Sequence, residues 1–418
     1  MKNGKADIRI SRKMADDVCA YYGTDKLSEA VQHCIKDALL KHALHTQSKR
    51  NWSPEQTLKS VEQDKTQKDQ RVSVYLPNKV MEFLRAYYCS KAYITDTVTL
   101  RCCIYDVLND AVSQWNLRAF DKLFYMVGQK NALMQGFLNE CFEDIRNVYR
   151  IDGCAEPFTG TANVLLHTRA SDAEFINDNS TDLINLLRVI RDYPYELKTK
   201  LMCLAIDKAS FDNFRITLQK PFFLKSSKSA LIHRAVIFFF CRYASYYGQG
   251  EHNRNISVNA YMRKLDCIYA LSQRLQGVDI KKRDALYFAK NLVEDAENFL
   301  IYFDSPYICS EEYYRRNNAK HQAFSSHIAL RNRVEELRSR HICVLSYRIT
   351  ASKSMEKKGI RSEMLQQKLD SLYLGRGFFY KLRQFNSGKG QIEILLATVP
   401  FAGSHPYTST LAEMGVNA

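Results

Sequence analysis

Hydrophobic and polar positions change rhythm along this chain. The first part holds short stretches that alternate residue by residue, each followed by two segments of helical period: "DIRIS", "ADDVCAYYG" and "DKLSEAVQHCIKDALLKHA", then "RVSVYLP", "KVMEFLRAYY" and "DTVTLRCCIYDVLNDAV". A shared AYY (20–22 and 86–88) and a shared Cys-Ile-x-Asp-x-Leu, starting at Cys34 and at Cys103, align the two as a repeat. The pattern predicts two strand-helix-helix units over 1–45 and 70–115, joined by a polar linker over 46–69. With Ile8, Ile10, Val72 and Val74 turned to the helices, period two leaves Arg9, Ser11, Arg71, Ser73 and Tyr75 on the opposite face.

From about residue 116 the texture is different. Helical periodicity over 120–148 gives way to strand-like runs at "VYRIDGCAEPF", "DAEFIND", "VDIKKRD", "NFLIYFD", "HICVLSYR", "GFFYKLRQF" and "QIEILLATVPF", separated by helix-length amphipathic segments. Such alternation predicts an α/β domain with a mostly parallel sheet and helices on both faces, closed by "IEILLAT". A helix-rich stretch over 194–275 interrupts it, so the domain reads as two halves, 116–193 and 276–418, around an insert. The aromatics and arginines of "FFFCRYASYYGQGEHNRN" suit an insert that touches a charged partner, and they suit equally a core position for Phe238, Phe239 and Phe240.

Charge narrows the partner. Lysine and arginine number 60 against 45 acids, a formal +15, which favours a polyanion, nucleic acid first and an acidic membrane surface second. No stretch approaches the roughly 18 apolar residues of a membrane span, and even "ALIHRAVIFFFC" carries His233 and Arg234. The opening "MKNGKADIRIS" shows no apolar signal region, and the 12 cysteines include no CxxC pair, so reduced thiols of a cytoplasmic protein are expected.

Candidate chemistry gathers where strands stop. "NFLIYFDSPY" is an apolar run that ends abruptly in an acid, a turn and an aromatic ring, at the kind of strand end where ligands of open α/β sheets collect. "EPFTGTANVLL" offers Gly160 and small residues at a helix start, and Asp178 follows Glu156 by 22 positions at the end of the next strand. An acid there can grip two ribose hydroxyls, so the pair fits an adenosine-containing ligand. There is neither a GxGxxG fingerprint nor a GxxxxGK[ST] loop, which argues against NAD chemistry and ATP hydrolysis.

Two resemblances follow from these residues. The repeated amino-terminal unit resembles ribbon-helix-helix DNA-binding domains, in which two copies pair their strands into a ribbon for the major groove. That likeness implies DNA contacts from Arg9, Arg71 and Ser73 and pairing within one chain, hence a possible monomer; docking of a protein partner is the other reading. "FYMVGQKNAL", "AEPFTGTANVL", "INDNSTDLINLLRVI" and "YFDSPY", in this order, resemble the motifs of the Dam-type, α-class adenine DNA methyltransferases. The likeness spans about residues 118–402 and implies a Rossmann-like sheet, a helical target-recognition insert, double-stranded DNA as substrate and no metal.

By that resemblance Gly128, Lys130, Glu156, Pro157, Phe158, Gly160 and Asp178 hold S-adenosylmethionine, and Asp304, Ser305, Pro306 and Tyr307 form the catalytic loop. The exocyclic amine of adenine is a poor nucleophile because its lone pair is delocalised into the ring. Asp304 and the Ser305 carbonyl can accept its two hydrogens, Pro306 stiffens the turn, and Tyr307 can stack on a base taken out of the duplex. Serine stands where the family usually has proline, Thr161 and Ala162 replace a glycine-richer loop, and "VGQK" replaces paired glycines. Asp284 matches an acidic position near the cofactor adenine or is a surface-loop acid. Arg242 matches a DNA-contacting arginine or is a core-edge arginine pairing a carboxylate. A non-catalytic DNA-binding regulator, or methylation of RNA or of a protein glutamine, stays open at this point.

Overall fold

The computed structural model describes residues 3–22, 24–44, 69–77, 104, 108, 132–245, 256–265, 267–292, 296–309, 324–351, 353–385 and 391–411. Gly128 and Lys130, and nearly all of the expected second helical pair, lie outside these residues.

All seven strand-like runs of the second part are strands: β3 (Gly153–Glu156), β4 (Ala173–Asn177), β5 (Asp279–Lys281), β6 (Phe299–Phe303), β7 (Ile342–Arg348), β8 (Phe379–Phe385) and β9 (Gln391–Ala397). With β10 (His405–Pro406) they form one sheet of order β10-β8-β9-β7-β6-β3-β4-β5. Strands β5, β4, β3, β6 and β7 run parallel, whereas β9 is antiparallel to β7 and to β8. The "IEILLAT" strand therefore does not close the sheet as expected. The β8–β9 hairpin folds back so that β9 lies inside, between β7 and β8, and β10 forms the margin.

Burial explains the central strand. β6 is buried at all five positions because both faces are covered. Leu300 and Tyr302 pack with Phe137, Phe142 and Ile145 of the helix Ala132–Val148, while Ile301 and Phe303 pack on the other face with Leu330, Val334 and Leu369. The chain runs from β3 out to β4 and β5, then returns to lay β6 against the other side of β3. The carboxyl ends of β3 and β6 therefore flank the switch point of the sheet, where a crevice opens in this architecture.

Gly153 makes the close packing of β3 possible. A Cβ there would overlap the Phe299 ring and lie 2.7 Å from the Ala173 carbonyl oxygen. Gly153→Ala should lower the urea-unfolding free energy by about 1–3 kcal/mol, and Gly136→Ala, whose new Cβ would meet nothing within 4 Å, should not. Equal stabilities of the two variants would contradict this packing.

Between β4 and β5 stand the helices Pro194–Met202, Lys208–Leu218, Lys228–Tyr243, Val258–Leu265 and Ile268–Arg274. They share one apolar cluster with the helix Thr181–Asp192 and with Ile176, Val278 and Ile280 at the strands, so their core is continuous with that of the sheet. Phe238, Phe239 and Phe240 belong to this core. Arg274 fastens the last of these helices to the sheet through a bidentate pair with Glu174 on β4 and a 2.8 Å bond to the Leu165 carbonyl. At the open side of β5, Arg188 and Arg191 donate to the carbonyls of Ile280 and Val278, occupying acceptors that an edge strand would otherwise present.

In the amino-terminal part, β1 (Asn3–Ser11) pairs antiparallel with β2 (Asp69–Pro77), with Arg9 opposite Arg71 and Asp7 opposite Ser73. Of the side chains on these strands only that of Ile10, fully buried, is described. Ile35 and Ile104, equivalent positions of the repeat, are both fully buried. The helices Arg12–Tyr22 and Leu27–Leu44 lie against the inserted helices: Tyr22 meets Tyr269 edge-on at 4.7 Å, and His33 stacks on Tyr195 at 4.0 Å. Among the described residues no helix is long and apolar enough to cross a membrane.

Candidate active site

Three strand ends are stitched together by two neighbouring residues. Asn177, the last residue of β4 and fully buried, donates to the carbonyls of Pro157 and Arg283 at 3.0 and 3.1 Å and accepts from the Arg283 amide at 2.9 Å. Its own carbonyl takes the Thr159 amide at 2.9 Å. Asp178 then accepts the Gly160 amide at 3.2 Å with one carboxylate oxygen and the Ser180 amide at 2.8 Å with the other. Burial pushes the Asp178 carboxyl pKa up, and the amides of Ser180, Gly160 and Asn179 oppose that shift by bonding the charged form.

The loop so held leaves β3 at Glu156 and enters the helix Asn163–His167. Gly160 (φ 51°) and Ala162 (φ 56°) both adopt the left-handed conformation. A Cβ on Gly160 would meet nothing within 4 Å, so the backbone presents an open side there. Pro157 is buried and Phe158 half-buried. Glu156 lies beneath the loop, buried, and accepts from the Thr159 hydroxyl at 3.1 Å. Burial raises its pKa to about 8, with Thr159 opposing and Asp304 adding to the rise. Its carboxyl group therefore holds its proton more strongly than an exposed glutamate would, and it feels the charge of Asp304.

Asp304 follows β6 directly. The Ser346 hydroxyl, fully buried on β7, lies 3.3 Å from Asp304 Oδ1, and the Tyr302 hydroxyl is 2.8 Å from Ser346 Oγ. A carboxylate only accepts, so Ser346 donates to Asp304 and Tyr302 donates to Ser346. Ser305 is buried and Pro306 half-buried. Tyr307 donates its hydroxyl to Glu393 Oε2 at 2.8 Å.

Asp284 lies just beyond β5. The run "VDIKKRD" forms strand only over Asp279–Lys281, because the Arg283 amide is drawn to Asn177. Asp284 is exposed and caps the helix Ala285–Leu292, accepting the amides of Leu286 and Tyr287 at 3.0 Å each. Arg242 sits at the edge of the inserted core with its guanidinium carbon 5.2 Å from the centre of the Phe238 ring; burial lowers its pKa and the charge of Asp182 raises it. The structure thus brings together Glu156, Pro157, Phe158, Gly160, Asp178 and the loop from Asp304 to Tyr307 at the switch point. Arg9, Arg71 and Ser73 are placed only by backbone register.

Sequence reasoning passed over Asn177, Ser346 and Glu393. The available signal was a polar residue inside a buried strand, since such groups are retained where they are bonded. Among the described residues no group of three or more His, Cys, Asp or Glu could hold a metal ion.

Sheet order and strand-end loops define an α/β protein of methyltransferase-like architecture. The family model of the D12 class N6 adenine-specific DNA methyltransferases matches residues 127–369, more than half of the chain, and the chain belongs to that family. It is an adenine-specific DNA methyltransferase, acting at N6 of the base. The matched span contains the loop over 156–162, Asp178, the helices between β4 and β5 and the loop over 304–307; the amino-terminal strands β1 and β2 precede it. No curated protein matches the sequence.

Proposed function

We propose that the enzyme is of the Dam-type, α-class order, and that it takes its methyl group from S-adenosylmethionine held over residues 157–162 and Asp178. The residues fit that donor. The backbone at Gly160 is open on one side, and the carboxylate beside it is fixed by two amides at the end of the neighbouring strand. Asp178 would take the ribose hydroxyls, Phe158 would flank the adenosine, and Gly128 and Lys130 would complete the site. Glu156 would act from below, by holding Thr159 and so the loop. When bound, S-adenosylmethionine supplies a methyl group activated by its sulfonium charge.

The observation that carries this reading is the convergence of the Asp178-bonded glycine loop and Asp304 at one switch point. Asp304 and the Ser305 carbonyl would draw hydrogens of the adenine amine, Pro306 would aim the turn, and Tyr307 would stack on the flipped base. The inserted helices would recognise the target duplex, with Arg242 at their rim. Asp284, through its cap of the helix Ala285–Leu292, would shape the adenine side of the donor site.

Asp178→Ala tests the donor site. It removes a charged acceptor worth on the order of 1.5–3 kcal/mol per hydrogen bond, so calorimetry should show S-adenosylmethionine binding weakened about tenfold or more. Unchanged affinity would reject the role.

The amino-terminal units would form a ribbon-helix-helix-like DNA grip within one chain, compatible with a monomer. Support comes from the register that sets Arg9 opposite Arg71 and from the formal charge of +15. Protein docking is the competing role, and it predicts that Arg9 and Arg71 contribute nothing to the salt dependence of DNA binding.

A further inference from the structure

Tyr307 is held at the end remote from its backbone. Its hydroxyl reaches Glu393 Oε2 at 2.8 Å, and Glu393 Oε1 faces Arg348 Nε at 3.3 Å. Glu393 on β9 and Arg348 at the end of β7 are cross-strand partners, so the sheet itself sets their spacing. The Arg348 guanidinium carbon lies 5.7 Å from the centre of the Tyr307 ring. Carboxylate, hydroxyl and guanidinium thus close a three-membered contact around one ring. Glu393 is buried, and an ionised acceptor shielded from water makes a strong, directional bond. Burial, then the charges of Glu393 and Asp304, raise the tyrosine pKa, so the hydroxyl stays protonated and serves as donor.

We infer that Glu393, backed by Arg348, is a positioning residue that fixes the Tyr307 ring in the attitude needed to receive the flipped adenine. The ring is anchored at both ends, by the loop backbone and by the hydroxyl. Arg348 occupies one face, and the base stacks on the opposite face. A ring so fixed is already ordered when the base arrives, which favours capture of the base and leaves the methyl-transfer step to Asp304. The inference rests on Tyr307 as the stacking ring, and the experiment separates the two.

Once the modified adenine is mapped, a duplex with 2-aminopurine at that position reports base extrusion by fluorescence. Tyr307→Phe keeps the ring and removes the anchor; Glu393→Gln keeps an acceptor but removes its charge. Each should reduce the 2-aminopurine signal and raise KM for DNA about three- to tenfold, with kcat changed less than twofold. Glu393→Gln in a Tyr307→Phe background should add little, because both act through one bond. Independent, multiplying effects would show that Glu393 acts only on the sheet, and an unaltered Tyr307→Phe enzyme would show that the anchor has no role; either overturns the inference. Full extrusion and activity in Tyr307→Ala would overturn the stacking role itself, and the inference with it. Circular dichroism and melting of each variant establish that folded proteins are compared.

Discussion

Asp304→Ala is expected to abolish methyl transfer in a protein that still folds and still binds S-adenosylmethionine. The carboxylate follows a fully buried strand, and Ser346, itself fed by Tyr302, aims a hydroxyl at one of its oxygens. On the proposed reading its chemistry is directed at the amine and away from the donor. As the methyl arrives, nitrogen moves from planar toward tetrahedral and gains positive charge, which an ionised acceptor stabilises more in the transition state than in the bound substrate. Removing one such contact costs about 10²–10³-fold in rate. Single-turnover methylation with saturating DNA and cofactor reads that loss directly. Ser346→Ala should show a smaller loss in kcat with KM little changed. A folded Asp304→Ala enzyme with near-normal turnover would remove the loop from the mechanism.

Arg274→Ala should cause the largest loss of stability. The guanidinium is mostly buried, bidentate on an almost fully buried Glu174, and bonded to the Leu165 carbonyl, so its deletion strands a carboxylate inside the protein. Breaking such a buried pair from one side costs about 3–5 kcal/mol. Urea unfolding should show it, and Glu174→Gln combined with Arg274→Met should recover much of it, because no unpaired charge remains. A loss below about 0.5 kcal/mol, the scale of an ordinary surface substitution, would mean that the inserted helices do not depend on this staple.

That dependence bears on how the chain was legible. Strands β6 and β7 announce themselves as apolar runs because both faces of the sheet are covered there, and Asp304 stands out because an acid ends one of those runs. The insert was legible as helices but not as part of the sheet's own core: Ile176, Ile280 and Phe240 become neighbours only in the folded chain, through the helix Thr181–Asp192. Likewise Tyr22 and Tyr195 carry no mark that they face Tyr269 and His33 across the amino-terminal boundary. The place of β9 inside the sheet depends on the hairpin's fold-back, which local pattern does not encode.

The site divides in the same way. Residues whose placement follows from chain position, such as Gly160 in a strand-to-helix turn and Asp178 at a strand end, were readable. Asn177, Ser346 and Glu393 act across strands, through register, and register is a property of pairing. Their one visible signal is polarity within strands that are mostly apolar: "AEFIN", "ICVLSYR" and "QIEILLA".

The central claim is that this switch-point loop delivers a methyl group to the exocyclic amine of adenine in duplex DNA. The most direct measurement is incubation of the full chain with methyl-labelled S-adenosylmethionine and duplexes of varied sequence, alongside RNA and a protein substrate, with mass-spectrometric mapping of the labelled base. The account predicts label on N6 of adenine in duplex DNA, at a defined sequence, and none from the Asp304→Ala chain. Label confined to RNA or to protein, or equal labelling by Asp304→Ala, would contradict it.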